Sequence, residues 1–273
     1  MGGAERDEGR VDNRSVDEKL APHDFVADFV WAGREVLRKP GVAVVSVLYW
    51  SGSAVFTTLM ARQAKNPLAL LVGAIVAMTI SFFWMGWLGA ERTFFRLRLE
   101  GKEVTLRHLL GGSPVFIGRF FALGLLAGMM AVPATGVAAG VAAALTASSI
   151  EALALRATVV NVIVVLVTVL VDFAFTFVTP ALVFTTSSAT KAIGIGFRMI
   201  RQTWPRSGLY VLCPPLALNM LNVMFPIRLP LVTLVSTAAF AVLALVAKGA
   251  TAAFYLREHP IVSNDRSVVA GVE

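Results

Sequence analysis

Hydrophobic residues in this chain come in long runs and not in short alternations. No residue between Lys65 and Glu91 is charged. Comparable stretches occupy 40–61, 120–150, 157–190 (broken only by Asp172), 207–227 and 229–256 (broken only by Lys248). A bilayer core of about 30 Å is crossed by roughly 20 helical residues. Each run reaches that length. The pattern therefore predicts an all-α fold, a polytopic membrane helix bundle with six transmembrane helices.

The segments between runs carry their own periodicity. In residues 22–41, Phe25, Phe29 and Val36 fall on one helical stripe, with Val26, Val30 and Leu37 beside it; Pro40-Gly41 then turns the chain into the first span. In residues 188–208, Ile193, Phe197, Ile200 and Trp204 recur at i, i+4, i+7 and i+11. Lys191, Arg198, Arg201 and Gln202 take the other faces, and Pro205 ends the segment. Both read as amphipathic helices lying in the plane of the inner interface. Residues 92–120 read as the end of span two, a turn at Glu100-Gly101-Lys102, a short helix and a break at 111–114. A basic amphipathic helix, a Pro/Gly break and a hydrophobic span thus recur three times. That is either a three-hairpin repeat or the ordinary look of any basic juxtamembrane segment.

Charge orients the bundle. With six spans, 20 of the 24 Lys and Arg residues fall on one side. The other side holds only Arg62, Lys65, Arg156 and Arg228. Basic residues stay cytoplasmic during insertion, so both termini are expected inside, with three hairpins and short outer loops near 61–66, 148–156 and 226–229. The expected organisation is a disordered cytoplasmic tail (1–21), a six-span membrane domain (22–258) and a second cytoplasmic tail (259–273). No early apolar segment resembles a signal peptide, and the expected location is a prokaryotic plasma membrane.

Composition narrows this further. The chain has 273 residues, 57% of them hydrophobic and only 15% charged. That leaves no room for a separate soluble domain. The net charge of +7 would suit nucleic acid, but the basic residues lie between spans, so anionic lipid at the cytoplasmic face is the expected partner. The single Cys213 can form neither an intrachain disulfide nor a thiolate metal site.

Candidate chemistry is sparse. Asp172 lies within span four, where an ionisable group costs about 2.5–3.5 kcal/mol to insert. Lys248 in span six stands at a similar depth, and an interhelical Asp172–Lys248 ion pair is expected, either as a structural register pin or as a substrate site. Asn161, Asn219 and Asn222 are further in-membrane polar groups that could line a cavity or bond across helices. Lys191, Arg198, Arg201 and Trp204 are expected at lipid headgroups. Gly124-x-x-x-Gly128 and Gly136-x-x-x-Gly140 suggest that the third span is central and closely packed. Phe82, Phe83, Trp84 and Trp87 read as an interfacial aromatic belt.

The chain shows no paired intramembrane carboxylates, nucleophile elbow, His metal spacing or phosphate-binding loop. No enzymatic activity, metal or cofactor is expected. The segment 179–212 (TPALVFTTSSATKAIGIGFRMIRQTWPRSGLYVL), with Pro180, the Ser187–Ala192 helix start and the Arg198–Trp204 basic-aromatic end, resembles a group of prokaryotic six-span proteins. That group is similar to the membrane domain fused to some glycerophosphodiester phosphodiesterases. The resemblance implies a six-span membrane domain and transfers no catalytic residue. The expected function is a membrane scaffold or an accessory in envelope or lipid processes; the alternative is a small transporter or permease component with a site near Asp172.

Overall fold

The computed structural model describes residues 24–62, 66–144, 169–224 and 230–259, together with 159, 162, 163 and 166. Expectations for the N-terminal tail, the outer loops at 148–156 and 226–229, most of the outer half of span four and residues 260–273 lie outside the described residues. Among the described residues every element is helical and there is no strand.

Local signals set the helix limits. Helix α1, Phe25–Arg38, starts at Asp24, whose carboxylate accepts from the Val26 N–H at 2.9 Å. It stops one residue before Pro40, which opens α2, Pro40–Arg62. Proline suits a first helical position because no intrahelical partner awaits its missing N–H. Asn66 caps α3, Pro67–Leu99, by accepting from the N–H groups of Leu68 and Ala69. The expected turn follows α3, with Gly101 at φ +74°, a left-handed conformation that favours glycine. Helix α4, Leu106–Gly112, and α5, Pro114–Ala144, meet at Ser113 with a bend of 56°. Residues 169–175 are helical and lead into α6, Val178–Phe184. Ser188 caps α7, Ala189–Thr203, and α8, Arg206–Met224, and α9, Pro230–Glu258, complete the described elements.

The protein is a helical membrane protein. Three of its helical segments, Pro40–Met60, Pro67–Leu99 and Val235–Glu258, are long and apolar enough to cross a bilayer, and the bent α4–α5 pair makes a fourth if counted as one span. Helix α3 rises about 50 Å over its 33 residues. That is longer than a single hydrocarbon thickness, and its C-terminal turns carry Glu91, Arg92, Arg96 and Arg98.

The central element is α9, which packs against α1, α2, α3 and α8. Its inward face is made of small residues: Ala241, Ala244, Ala247, Ala250, Ala252 and Ala253 are buried. A Cβ on Gly249 would lie 2.5 Å from Phe95 Cε1 and 2.7 Å from the Ala32 Cβ. This corrects the expectation that the third span is central through its glycine pairs. In α5, a Cβ added to Gly128, Gly136 or Gly140 would meet nothing within 4 Å, and one on Gly124 would meet only Met85 at 3.9 Å. The close approach between α3 and α5 is made instead by Gly86 against the Ser113 carbonyl and by Gly89 against the Phe116 ring. Small residues do allow helices to approach where lipid gives no hydrophobic gain, but the ones that do so here lie elsewhere.

Packing is uneven along the helices. Around the C-terminal turns of α3 and α9, Trp87, Phe94, Phe95, Phe177, Phe254 and Tyr255 are fully buried. Toward the other end Leu59, Leu68, Leu71, Val72, Ile75 and Met78 are exposed. An apolar surface of this kind suits hydrocarbon.

Candidate functional site

The part of the bundle formed by the C-terminal halves of α3 and α9 holds a buried polar network. Glu91 on α3 is completely buried. One of its oxygens accepts from the Ser46 hydroxyl at 2.5 Å and the other from the Lys248 ammonium at 2.6 Å. The indole N–H of Trp87 donates to the same Ser46 hydroxyl at 3.0 Å. Lys248 also stands 5.0 Å above the Trp84 ring, which stacks on Tyr49 at 3.8 Å. Three helices, α2, α3 and α9, are joined here. Each Glu91 oxygen accepts one hydrogen bond, and the carboxylate forms an ion pair with Lys248.

Lys248 therefore has a different partner from the one expected. Its ammonium meets Glu91, not Asp172. The physical reason is the packing order: α9 lies directly against α3, and Glu91 lies at its contact. Asp172 and Lys248 nevertheless line a single cavity of about 370 Å³. Arg92, Tyr210, Thr176, Thr179 and Thr251 supply its other polar groups, and Trp50, Phe175, Pro214 and Phe240 much of its apolar wall. Arg92 is buried and donates to the Leu88 carbonyl at 3.0 Å and to the Thr179 hydroxyl at 2.6 Å, both neutral acceptors. Asp172 is exposed and, among the described residues, its side chain has no hydrogen bond or ion pair.

A second layer of charge fastens α1. Asp28 and Glu35, seven residues apart on one face, are both buried. Asp28 accepts from Tyr210 at 2.5 Å and forms an ion pair with Arg257 on α9. Glu35 takes Arg98 of α3 at 2.7 Å and Arg38 at 2.7 Å. The α3–α4 turn joins the layer through Glu103, which bonds Lys39 at 2.9 Å. The hydrogen bond and charge of Lys39, helped by Arg98, hold the Glu103 carboxyl below the usual range. Burial pushes Glu100 up, but hydrogen bonds from Arg96 and Lys102 and their charges outweigh it, and the net shift is downward.

The amphipathic helices are divided differently from the sequence pattern. In α1 the inward face is Asp28, Ala32, Glu35 and Val36, while Val26, Val30 and Leu37 are exposed. In α7 the inward face is Ala189, Ala192, Gly196, Met199, Ile200 and Thr203. Of the expected stripe, Ile200 is buried, Ile193 half-buried, and Phe197 and Trp204 exposed. Lys191, Arg198 and Arg201 are exposed on the same helix. The aromatic belt also splits, since Phe82 and Phe83 are exposed while Trp84 and Trp87 enter the network. Asn161 lies outside the described residues. Asn219 and Asn222 fall on α8, and the expectation for their side chains is likewise outside what is described.

Glu91, Arg92, Asp28 and Glu35 are the polar residues that sequence reasoning missed. Glu91 and Arg92 stand at the edge of a charge-free run, where they pass for the start of a loop. Asp28 and Glu35 share a helical face with Ala32, a spacing that the apolar stripe through Phe25, Phe29 and Val36 left out of account. Among the described residues no group of three or more His, Cys, Asp or Glu is placed to hold a metal. Compared with family models, curated proteins and solved structures, the chain matches none.

Proposed function

We propose that this chain is a non-enzymatic, six-span protein of a prokaryotic plasma membrane, arranged as three hairpins with both termini cytoplasmic. In this reading it holds anionic lipid on its inner face and serves as a scaffold or accessory in envelope or lipid processes. The resemblance to the membrane domain fused to glycerophosphodiester phosphodiesterases belongs to the same proposal. One observation carries the reading: α7 packs its small residues on the protein and leaves Phe197 and Trp204 exposed beside Lys191, Arg198 and Arg201. An apolar stripe next to basic residues suits the headgroup level of an anionic leaflet, where each basic residue contributes about 1 kcal/mol.

The test is quenching of Trp204 by brominated phosphatidylglycerol against brominated phosphatidylcholine, taken as the difference between the wild type and Trp204→Phe. Preferential quenching by the anionic lipid, abolished in a Lys191/Arg198/Arg201→Gln variant, is the expected result. Equal quenching by both lipids would remove the reading.

A second reading, a small transporter or permease component, is favoured by a separate observation. The cavity combines Asp172 and two cations with an apolar wall, and unpaired ionisable groups within spans mark solute paths in many membrane proteins. Solute flux into proteoliposomes that is lost in Asp172→Asn, with the variant still folded, supports it.

A further inference from the structure

Three charged side chains line the cavity, Arg92, Lys248 and Asp172. Glu91 and Lys248 neutralise one another at 2.6 Å. Arg92 feels the charge of the neighbouring Glu91 but forms no ion pair with it, and its hydrogen bonds go to neutral acceptors, the Leu88 carbonyl and the Thr179 hydroxyl. Asp172 is left with no side-chain partner among the described residues. Arg92 and Asp172 therefore face one cavity with opposite charges and without an ion pair between them.

We infer that the cavity binds a zwitterion, its ammonium group at Asp172 and its anionic group, a phosphate or carboxylate, at Arg92. The electrostatics select this class. A lone anion would satisfy Arg92 and leave Asp172 uncompensated in a poorly polar site; a lone cation would do the reverse. Uncompensated charge is expensive in such surroundings. A ligand carrying both signs compensates both groups and adds no net charge. The guanidinium fork suits a phosphate or carboxylate. The hydroxyls of Thr176 and Thr251 offer neutral hydrogen bonds, and Trp50 and Phe240 offer an apolar wall. A volume of about 370 Å³ lies at the small end of ligand sites. That suits an amino acid or a phosphoethanolamine headgroup and not a whole lipid. The inference rests on the second functional reading only for its location and stands or fails on binding alone.

The experiment uses the full chain in nanodiscs of phosphatidylglycerol. Phosphoethanolamine and L-leucine are titrated as soluble zwitterions, with ethanolamine and inorganic phosphate as single-charge controls, and binding is read by calorimetry. In parallel, phosphatidylethanolamine is mixed into the bilayer and its retention measured by native mass spectrometry. Saturable binding of a soluble zwitterion points to a free solute, and selective retention of phosphatidylethanolamine points to a lipid headgroup; either supports the site. Binding in Asp172→Asn should weaken by about tenfold or more, as for loss of one charge-assisted contact. Asp172 has no partner to lose among the described residues, so this variant should fold. Arg92→Lys keeps the charge but loses the fork, and should weaken the anionic end selectively. Absence of saturable binding in both arms overturns the inference, as does Asp172→Asn binding as tightly as the wild type, or a single-charge control that matches the zwitterion. Flux without zwitterion binding would overturn this inference while leaving the permease reading intact; binding without flux would do the opposite.

Discussion

Helices α1 and α7 look alike in sequence and are held in different ways. Each is amphipathic, each is followed by a proline-marked break, and each leaves apolar side chains exposed. Helix α1 is fastened by charge: Asp28 to Arg257 and Tyr210, Glu35 to Arg98 and Arg38. Helix α7 is fastened by close approach, with Gly196 lying against the backbone where α6 begins; a Cβ there would come 2.8 Å from the Val178 N and 3.1 Å from the Phe177 carbonyl carbon. A moderate hydrophobic pattern thus admits two anchoring mechanisms, one electrostatic and directional, the other steric. In both helices one face packs on protein and another leaves apolar side chains exposed.

The largest effect should come from Gly196→Val. Its Cβ cannot be accommodated because the obstacle is backbone, and fluorescence-detected size-exclusion should show loss of the monodisperse peak. Gly194→Ala, two residues away with nothing within 4 Å, should be neutral or stabilise by about 0.5–1 kcal/mol through helix propensity. If both substitutions behave alike, the steric account of α7 fails.

Asp28→Ala should rank next. It strips Arg257 and Tyr210 of a buried partner, and breaking such a pair destabilises by about 3–5 kcal/mol. Thermal unfolding in detergent measures it. Adding Arg257→Met should recover part of the loss, because the stranded cation is gone; no recovery would mean that Asp28 acts through something other than charge.

Outward residues should matter little to folding. Val30→Ser and Phe197→Ser are expected to stay within about 0.5 kcal/mol of the wild type in detergent. A loss of several kcal/mol in the same unfolding assay would place these side chains in a contact with protein.

The smallest effect concerns the α3–α4 turn. Glu100 has its carboxyl held below the ordinary value of 4.5 by Arg96 and Lys102 despite burial. A lowered folded-state value means that its stabilisation is present above 4.5 and lost as pH falls through the folded value. Glu100→Gln should therefore be slightly less stable than the wild type at neutral pH, with the gap closing in acid. A gap independent of pH would contradict the ion-pair origin.

Much of this architecture could be read before any coordinates. The turn at Glu100-Gly101-Lys102, the break before Pro114 and the stop ahead of Pro40 are local events, set by residues that cannot continue a helix or that favour a left-handed turn. Residue counting put Asp172 and Lys248 at a similar depth, and the ion pair expected from it is not the one Lys248 makes. The partner of Lys248 was not accessible. Depth restricts a side chain to a layer but says nothing about which neighbour in that layer faces it, and Glu91 lay just past a charge-free run. The glycines of α5 misled for a related reason: small-residue spacing permits close packing without naming the helix that will use it.

The amino-acid order alone determined that this polypeptide is helical and apolar over bilayer lengths, and where several helices start and stop, since those outcomes depend on nearest neighbours and on the solvent each residue prefers. Tertiary structure decided which helix sits at the centre, which carboxylates turn inward and which cation is left facing Asp172 across a cavity. Those depend on rotation about helix axes and on contacts between residues far apart in the chain, such as Glu91 and Lys248, for which no local interaction carries the information.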